Sequence, residues 1–366
     1  MILFLLLLFV GCLSQQQIAP PVIDILPLMY PHNYSSEEIQ SVRASIHEAC
    51  KQWGFFNVIN HNISDKLQES VYEQMVLFFN SSISIKDSVR RQPNNSRGFA
   101  DNELTKQIMD MKEVFDVGPE LYYNLSEVAA ADQAIDGENF WPIDDSLIHF
   151  RETIQEYYEE CRKLSEILIE TILSTLNCES SRYIENSFHQ HSSFLRLNYY
   201  PIISYTETEV SMNGDYQINE KLGISRHTDA GALTILMQDS SALEVYSGSK
   251  QDFNDGEWIP VEPIPGALTI NTGDMLQVWS NDLFKAPEHR VKASRTSKRY
   301  SIPFFFNPSY DTLVHPILCN NISTDDDNIT KPKYKDIRWG YFRTQRFKGD
   351  FQNIGKEIQI EDFRIV

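Results

Sequence analysis

The chain of 366 residues is 42% hydrophobic and 23% charged, the balance of a globular protein with ample material for a core. Its 32 basic and 51 acidic side chains leave a formal charge of −19, which argues against nucleic acid or an anionic membrane as the main partner. The five cysteines (Cys12, Cys50, Cys161, Cys178 and Cys319) show no C-x-x-C spacing, so they outline neither a zinc site nor a disulfide framework.

Residues 1–14 read as a signal peptide. Ile2 to Val10 is a continuous apolar run, too short to span a bilayer, and small residues at Cys12 and Ser14 suit cleavage after Ser14. No Lys or Arg precedes the run. Seven N-x-S/T sequons, at Asn33, Asn62, Asn80, Asn94, Asn124, Asn321 and Asn328, agree with passage through the secretory pathway. The alternative is a cytoplasmic protein. The carboxy terminus carries no KDEL-type retention signal.

Residues 20–130 form the amino-terminal region, predicted to be mostly helical. VIDI (Val22 to Ile25) reads as a short strand. Ser35 with Glu38 makes a capping box that opens a helix running to about Trp53. Phe55 to Ile59 reads as a strand and Ser64 to Phe79 as a helix, while Ser81 to Ala100 is polar and loop-like. Within residues 131–187, the stretch Asp144 to Leu176 predicts a long helix. Its apolar residues Leu147, Phe150, Ile154, Tyr157, Cys161, Leu164, Leu168 and Ile172 recur at helical spacing, as a stripe packed on a sheet would.

After Phe188 the pattern changes to short apolar runs separated by Gly, Asn, Asp and Pro. Eight strands are predicted in residues 188–310: Phe194 to Tyr200, Ala232 to Gln238, Leu243 to Tyr246, Trp258 to Val261, Leu268 to Asn271, Met275 to Trp279, His289 to Val291 and Arg299 to Phe306. Asn213-Gly214-Asp215, Asp255-Gly256 and Thr272-Gly273-Asp274 are turn signals. Strands of this size and number suit a jelly roll. The expected fold class is therefore α+β: a double-stranded β-helix (jelly-roll) core with flanking helices. Residues 311–366 form a polar extension with a helix near Trp339 to Lys348.

Three residues of the β-rich part carry the chemistry. His227 and Asp229 stand at i and i+2, which on an extended strand places both side chains on one side. His289 follows 60 residues after Asp229, room for a return to the same place. Two imidazoles and one carboxylate can occupy one face of an iron(II) ion and leave the other face open. Arg299 and Ser301, again at i and i+2, suit a carboxylate, which a guanidinium binds through two parallel hydrogen bonds. His189 and His191 have no carboxylate at matching spacing and read as loop residues. Arg196, Asn198 and Tyr200 share one face of their strand, with Tyr199 on the other; Arg196 could meet an acidic substrate.

These residues and their surroundings resemble the iron(II)/2-oxoglutarate-dependent oxygenases of the isopenicillin N synthase-like branch. The resemblance is carried by RLNYYP (Arg196 to Pro201), HTDAGALTIL (His227 to Leu236), NTGDMLQVWSN (Asn271 to Asn281), HRV (His289 to Val291) and RYSIPFFFNP (Arg299 to Pro308). Upstream it extends to WGFFNVINHNI (Trp53 to Ile63), RGF (Arg97 to Phe99), DMKEVFDVG (Asp110 to Gly118) and FWP (Phe140 to Pro142), covering about residues 20 to 310. It implies His227, Asp229 and His289 as iron ligands and Arg299 with Ser301 as the clamp on 2-oxoglutarate. Tyr200 and Asn198 would add hydrogen bonds near that co-substrate. Iron(II), 2-oxoglutarate and O2 are the implied cofactor and co-substrates, with ascorbate as a helper. The implied reaction hydroxylates or desaturates a small organic molecule and releases succinate and CO2. Specificity would reside in the loops Ser81 to Arg97, Gly118 to Asn139 and Ser204 to Leu222. A monomer without stable membrane association is expected.

Two other readings stay open at this point: an oxidase of the same fold that does not consume 2-oxoglutarate, and a ligand-binding relative without catalysis. Smaller expectations complete the picture. Arg97 and Phe99 serve either the substrate pocket or plain packing, Lys112 and Glu113 form a structural ion pair, and at least one of Phe304 and Phe306 is core.

Overall fold

The computed structural model describes residues 19–93, 95–106, 108–120, 136–176, 186–203, 222–248, 256–318, 331–351 and 357–365. The signal-peptide segment, the sequons at Asn94, Asn124, Asn321 and Asn328, and the turn at Asn213 to Asp215 lie outside the described residues, as does nearly all of the loop from Ser204 to Leu222.

Strand β1 (Val22–Asp24) pairs in parallel with β2 (Phe55–Ile59), and helices α1 (Leu26–Met29) and α2 (Ser36–Gln52) connect them. The capping box forms as expected: Ser35 Oγ accepts from the Glu38 amide at 3.2 Å, and the Glu38 carboxylate accepts from the Ser35 amide at 2.8 Å. Ser64 Oγ caps α3 (Asp65–Asn80) by accepting from the Leu67 amide, without the reciprocal carboxylate bond. The stretch from Ser81 to Ala100 is more ordered than predicted. It holds α4 (Ile83–Ser88), capped by Ser82, and β3 (Gly98–Ala100). A six-residue helix is too short to show a period, and β3 exists only because β6 (Glu113–Val117) pairs with it. Between them lies a two-residue ribbon, β4 (Leu104–Thr105) with β5 (Ile108–Met109).

Helix α5 spans Phe150–Ser174, and its predicted apolar stripe from Phe150 to Ile172 is buried throughout. It starts six residues later than expected. The Asp144 carboxylate accepts from the Ser146 amide at 2.9 Å and holds residues 145–147 in a 3-10 turn instead.

Beyond α5 come β7 (Phe194–Tyr200), β8 (Leu222–His227), β9 (Leu233–Gln238), β10 (Leu243–Tyr246), β11 (Trp258–Pro260), β12 (Leu268–Thr272), β13 (His289–Lys292) and β14 (Arg299–Phe306). An eight-stranded sheet in the order β1-β2-β12-β9-β14-β7-β6-β3 faces a four-stranded sheet in the order β11-β10-β13-β8. This is the double-stranded β-helix. Phe55, Tyr200, Leu236, Leu243, Val245, Val261 and Val291 form the small core between the two sheets. The outer face of the large sheet packs on α3 and α5. Strand alternation decides which side chain goes where. On β14, Tyr300, Ile302, Phe304 and Phe306 join the helical side, so both phenylalanines are core, and Arg299 and Ser301 alternate with them toward the interior. On β7, Tyr199 packs with Phe79 and Tyr300, while Tyr200 joins the inner cluster, as predicted.

One predicted strand is a helix. Met275 to Trp279 lies in α6 (Asp274–Trp279), every residue of which is buried. A short apolar run cannot be told from a fully buried helical turn by periodicity. Gly273 precedes it because a Cβ there would lie 2.3 Å from the Gly231 carbonyl oxygen. The amides of Asp274 and Met275, left without partners inside their own helix, donate to the carbonyls of Asp229 (2.8 Å) and Gly231 (3.0 Å). The turn carrying Asp229 is thereby tied to a helix that sequence periodicity does not reveal. The carboxy-terminal helix α7 (Trp339–Phe351) lies over the open end of the sandwich near β4.

Candidate metal centre

His227 is the last residue of β8 and His289 the first of β13, and the two are cross-strand partners. Their rings stand 4.3 Å apart, centre to centre. Asp229 is not on an extended strand with His227. It lies in the turn after β8, where the Asp274 amide of α6 holds its carbonyl. The three side chains converge all the same: Asp229 Oδ1 is 3.7 Å from His227 Nε2 and 3.5 Å from His289 Nε2. One donor atom from each residue falls within 4.8 Å of the others, a set that can hold a metal ion.

The surroundings prepare each donor atom. His227 Nδ1 is 2.8 Å from the Ser225 carbonyl and His289 Nδ1 is 3.2 Å from the Pro287 carbonyl. A carbonyl oxygen only accepts, so both Nδ1 atoms carry hydrogen, and each ring in its neutral form turns its Nε2 lone pair to the centre. Thr234 Oγ1 (2.5 Å) and Asn271 Nδ2 (2.7 Å) both donate to Asp229 Oδ2, leaving Oδ1 for a ligand. Burial and the neighbouring His289 push His227 down to about 3. Burial alone would raise Asp229, but His289, His227 and Asn271 together hold its carboxyl well below the usual range. The donor set is one carboxylate with imidazole nitrogens, in keeping with iron(II).

Behind the triad, between the sheets, Arg299 is 3% exposed and has no acidic partner among the described residues. Its nitrogens donate to Ser240 O, Ser301 Oγ (3.1 Å) and Gln238 Oε1 (2.8 Å), and its guanidinium lies 4.9 Å from the centre of the Tyr200 ring. Asn198 Nδ2 reaches Ser301 Oγ at 3.4 Å, and Asn198 Oδ1 is buried without a partner. A buried guanidinium with only neutral partners fits an incoming carboxylate. All four residues predicted for this subsite come together, with Tyr200 supporting Arg299 through its ring.

On the other side of the triad is a cavity of about 150 Å³, lined by His227, Asp229, Arg97, Phe194, Arg196 and Arg343 among others. Arg196 is not available for an acidic substrate in the expected way. It donates four hydrogen bonds, at 2.7–2.9 Å, to Glu103 and Asp116. Lys112 and Glu113 do form ion pairs, but not with each other: Lys112, just before β6, pairs with Glu103 and Asp110, and Glu113, its first residue, with Lys86. Phe99 is core against Phe78. His191 sits in a loop near Phe306, apart from the one metal-ligand group found among the described residues.

Thr234, Gln238, Asn271, Asp136 and Arg343 were not singled out from the sequence. Asn271 stands in the NTGD stretch, and Thr234 and Gln238 follow from the alternation along β9. Asp136 and Arg343 gave no local signal.

Comparison with known proteins follows the same lines. Residues 191–308 match the family model of the 2OG-Fe(II) oxygenase superfamily, and residues 20–144 match that of the non-haem dioxygenase in morphine synthesis N-terminal region. A 2-oxoglutarate-dependent dioxygenase of Monascus ruber is 31% identical over 306 residues, covering 81% of this chain and 87% of that protein. Among solved structures, JOX2 in complex with 2OG, Fe and JA superposes with a TM-score of 0.66 at 26% identity, over 89% of this chain and 84% of that one. A full-length Neurospora crassa protein in complex with α-KG shares the fold, with a TM-score of 0.73 at 24% identity over 89% and 95% of the two chains.

Proposed function

Because this chain belongs to the 2OG-Fe(II) oxygenase superfamily and is a 2-oxoglutarate-dependent dioxygenase, we propose that His227, Asp229 and His289 hold its iron and that Arg299 and Ser301 hold its 2-oxoglutarate. The observation that carries the assignment is the convergence of Asp229 Oδ1 with two Nε2 atoms whose opposite ring nitrogens are tied to backbone carbonyls. When bound, the metal and co-substrate supply the oxidation of an unactivated C–H bond, with release of succinate and CO2. The protein's own part is positional. Thr234 and Asn271 orient the carboxylate, Ser225 and Pro287 orient the imidazoles, and Tyr200 and Gln238 brace Arg299 for the distal carboxylate. The cavity in front of the triad receives a small organic substrate to be hydroxylated or desaturated.

The test is anaerobic addition of iron(II), then 2-oxoglutarate, followed through the visible charge-transfer band of the chelated keto acid. Wild-type protein is expected to form the band and Asp229→Ala to lose it. Arg299→Met should keep iron but need at least about tenfold more 2-oxoglutarate, as loss of a charge-assisted clamp requires. A full band in Asp229→Ala would overturn the metal assignment, and unchanged 2-oxoglutarate affinity in Arg299→Met would overturn the clamp.

We also propose secretion and a monomeric state. The apolar leader and the exposure of the described sequon residues Asn33, Asn62 and Asn80 support the first. The net charge of −19 supports the second through self-repulsion. Among the described residues no helix is long and apolar enough to cross a membrane. A loss of mass on glycosidase treatment of protein secreted from eukaryotic cells would bear out the first, and retention in the cytoplasm would refute it. Light scattering decides the second.

A further inference from the structure

Among the described residues, the charges around the substrate cavity balance except in one place. Arg91 and Arg196 each pair with both Glu103 and Asp116, and Lys112 pairs with Glu103 and Asp110. Arg346 lies 3.7 Å from Glu357. Arg97 and Arg343, by contrast, share one carboxylate. Asp136 Oδ1 forms an ion pair with Arg97 Nη2 at 2.7 Å and accepts a hydrogen bond from Arg343 Nη2 at 3.1 Å. Ser96 also donates to that oxygen, and Tyr310 donates to the other. Two guanidiniums against one carboxylate leave one positive charge.

That charge is buried and incompletely paired. The Arg97 side chain is 2% exposed, and among the described residues its Nε and Nη1 have no hydrogen-bond partner. Orphaned donors of a buried charged group are costly unless a ligand satisfies them. The fold also makes room for this arginine. A Cβ on Gly118 would fall 2.2 Å from Arg97 Nη2, so only glycine lets the guanidinium lie there. Both arginines flank the Phe194 ring, at 5.8 Å and 5.0 Å from its centre, in the cavity that also reaches His227 and Asp229.

We propose that the primary substrate is a monoanion, most simply a carboxylate, whose oxyanion is bound by Arg97 Nε and Nη1 with Arg343 beside it, so that the rest of the molecule lies over Phe194 toward the metal. The proposal rests on the oxygenase site described above and narrows its substrate class. It reassigns the acid-recognition role from Arg196, which two carboxylates already neutralise, to Arg97.

The test uses the full chain, anaerobic, with iron(II) and saturating 2-oxoglutarate, so that Arg299 is occupied and the charge-transfer band reports the assembled site. 4-Fluorobenzoate and its neutral match 4-fluorobenzamide are titrated in by fluorine NMR. The acid should bind at least about tenfold more tightly than the amide, as a guanidinium–carboxylate contact implies. Arg97→Gln should erase the preference while keeping the band, and Arg97→Lys should restore part of it. Equal binding of acid and amide, no saturable binding of the acid while the band is present, or an undiminished preference in Arg97→Gln would each overturn the proposal. The wild-type comparison needs no variant, so a misfolded Arg97→Gln does not remove the test. Absence of the band in wild type would instead refute the underlying metal and co-substrate assignment.

Discussion

Asn271→Ala isolates the support given to the candidate metal ligand. Asn271 on β12 is the cross-strand partner of Thr234 on β9, and both side chains point between the sheets at the same oxygen, Asp229 Oδ2. The alanine removes a 2.7 Å hydrogen bond to a buried carboxylate. Hydrogen bonds to charged groups are worth about 1.5–3 kcal/mol, or roughly 10- to 150-fold in an equilibrium constant. Loss of a group that orients a metal ligand costs about 10- to 100-fold in affinity, so the two estimates agree. Iron(II) titration in the presence of 2-oxoglutarate, read through the charge-transfer band, should therefore show binding weakened about 10- to 100-fold. Thr234→Val should do the same. The double variant should cost less than the sum of the two, because both donors serve one oxygen. A melting curve confirms that β12 still pairs. Folded Asn271→Ala with iron affinity within about twofold of wild type would refute the argument that these donors orient Asp229.

Two further expectations concern stability. Phe78 is fully buried, with the rings of Phe79, Phe99, Phe115 and Phe150 at 4.8–6.2 Å, so Phe78→Ala should cost about 3–5 kcal/mol in denaturant unfolding; a cost below about 1 kcal/mol would mean that the aromatic cluster repacks. Burial, aided by Arg162, pushes His191 down to about 4 from the usual 6.5, against the opposing pull of Glu159, and its Nδ1 is buried without a partner. Its folded value lies below the unfolded one, so the unfolded chain binds more protons between these limits. The contribution of His191 is thus complete above about 6.5 and lost as pH falls toward 4. His191→Phe, next to Phe306, should make unfolding free energy less steep against pH in that window, leaving the slopes due to His47, His61 and His227, which burial also lowers. An unchanged slope would show that His191 is already protonated in the fold.

Local signals in the chain were sufficient for much of this molecule. The capping box at Ser35 and Glu38 and the apolar stripe of α5 involve residues close in sequence, so their geometry is written in their spacing. The alternation along β7 and β14 sorts Tyr199 from Tyr200 and Arg299 from Tyr300 for the same reason. His227, Asp229, His289, Arg299 and Ser301 could be named because their order and spacing are those of a family. Helix α6 could not be read, since a fully buried apolar run has no polar face to mark its period. Nor could β3, which is a strand only because β6 lies beside it.

The sequence by itself determined the fold class through residue type and periodicity, and it named the candidate metal donors and the candidate clamp through their order and spacing, which resemble those of a family. Only the tertiary structure decided how Asp229 is aimed and which arginine is left for a ligand. Asp229 is placed by the amide of Asp274, which opens a helix 45 residues away. The sharing of Asp136 between Arg97 and Arg343, and the neutralisation of Arg196 by Glu103 and Asp116, join residues from distant parts of the chain. Charge pairing in a buried site is a property of proximity in space, and no spacing along the chain encodes it.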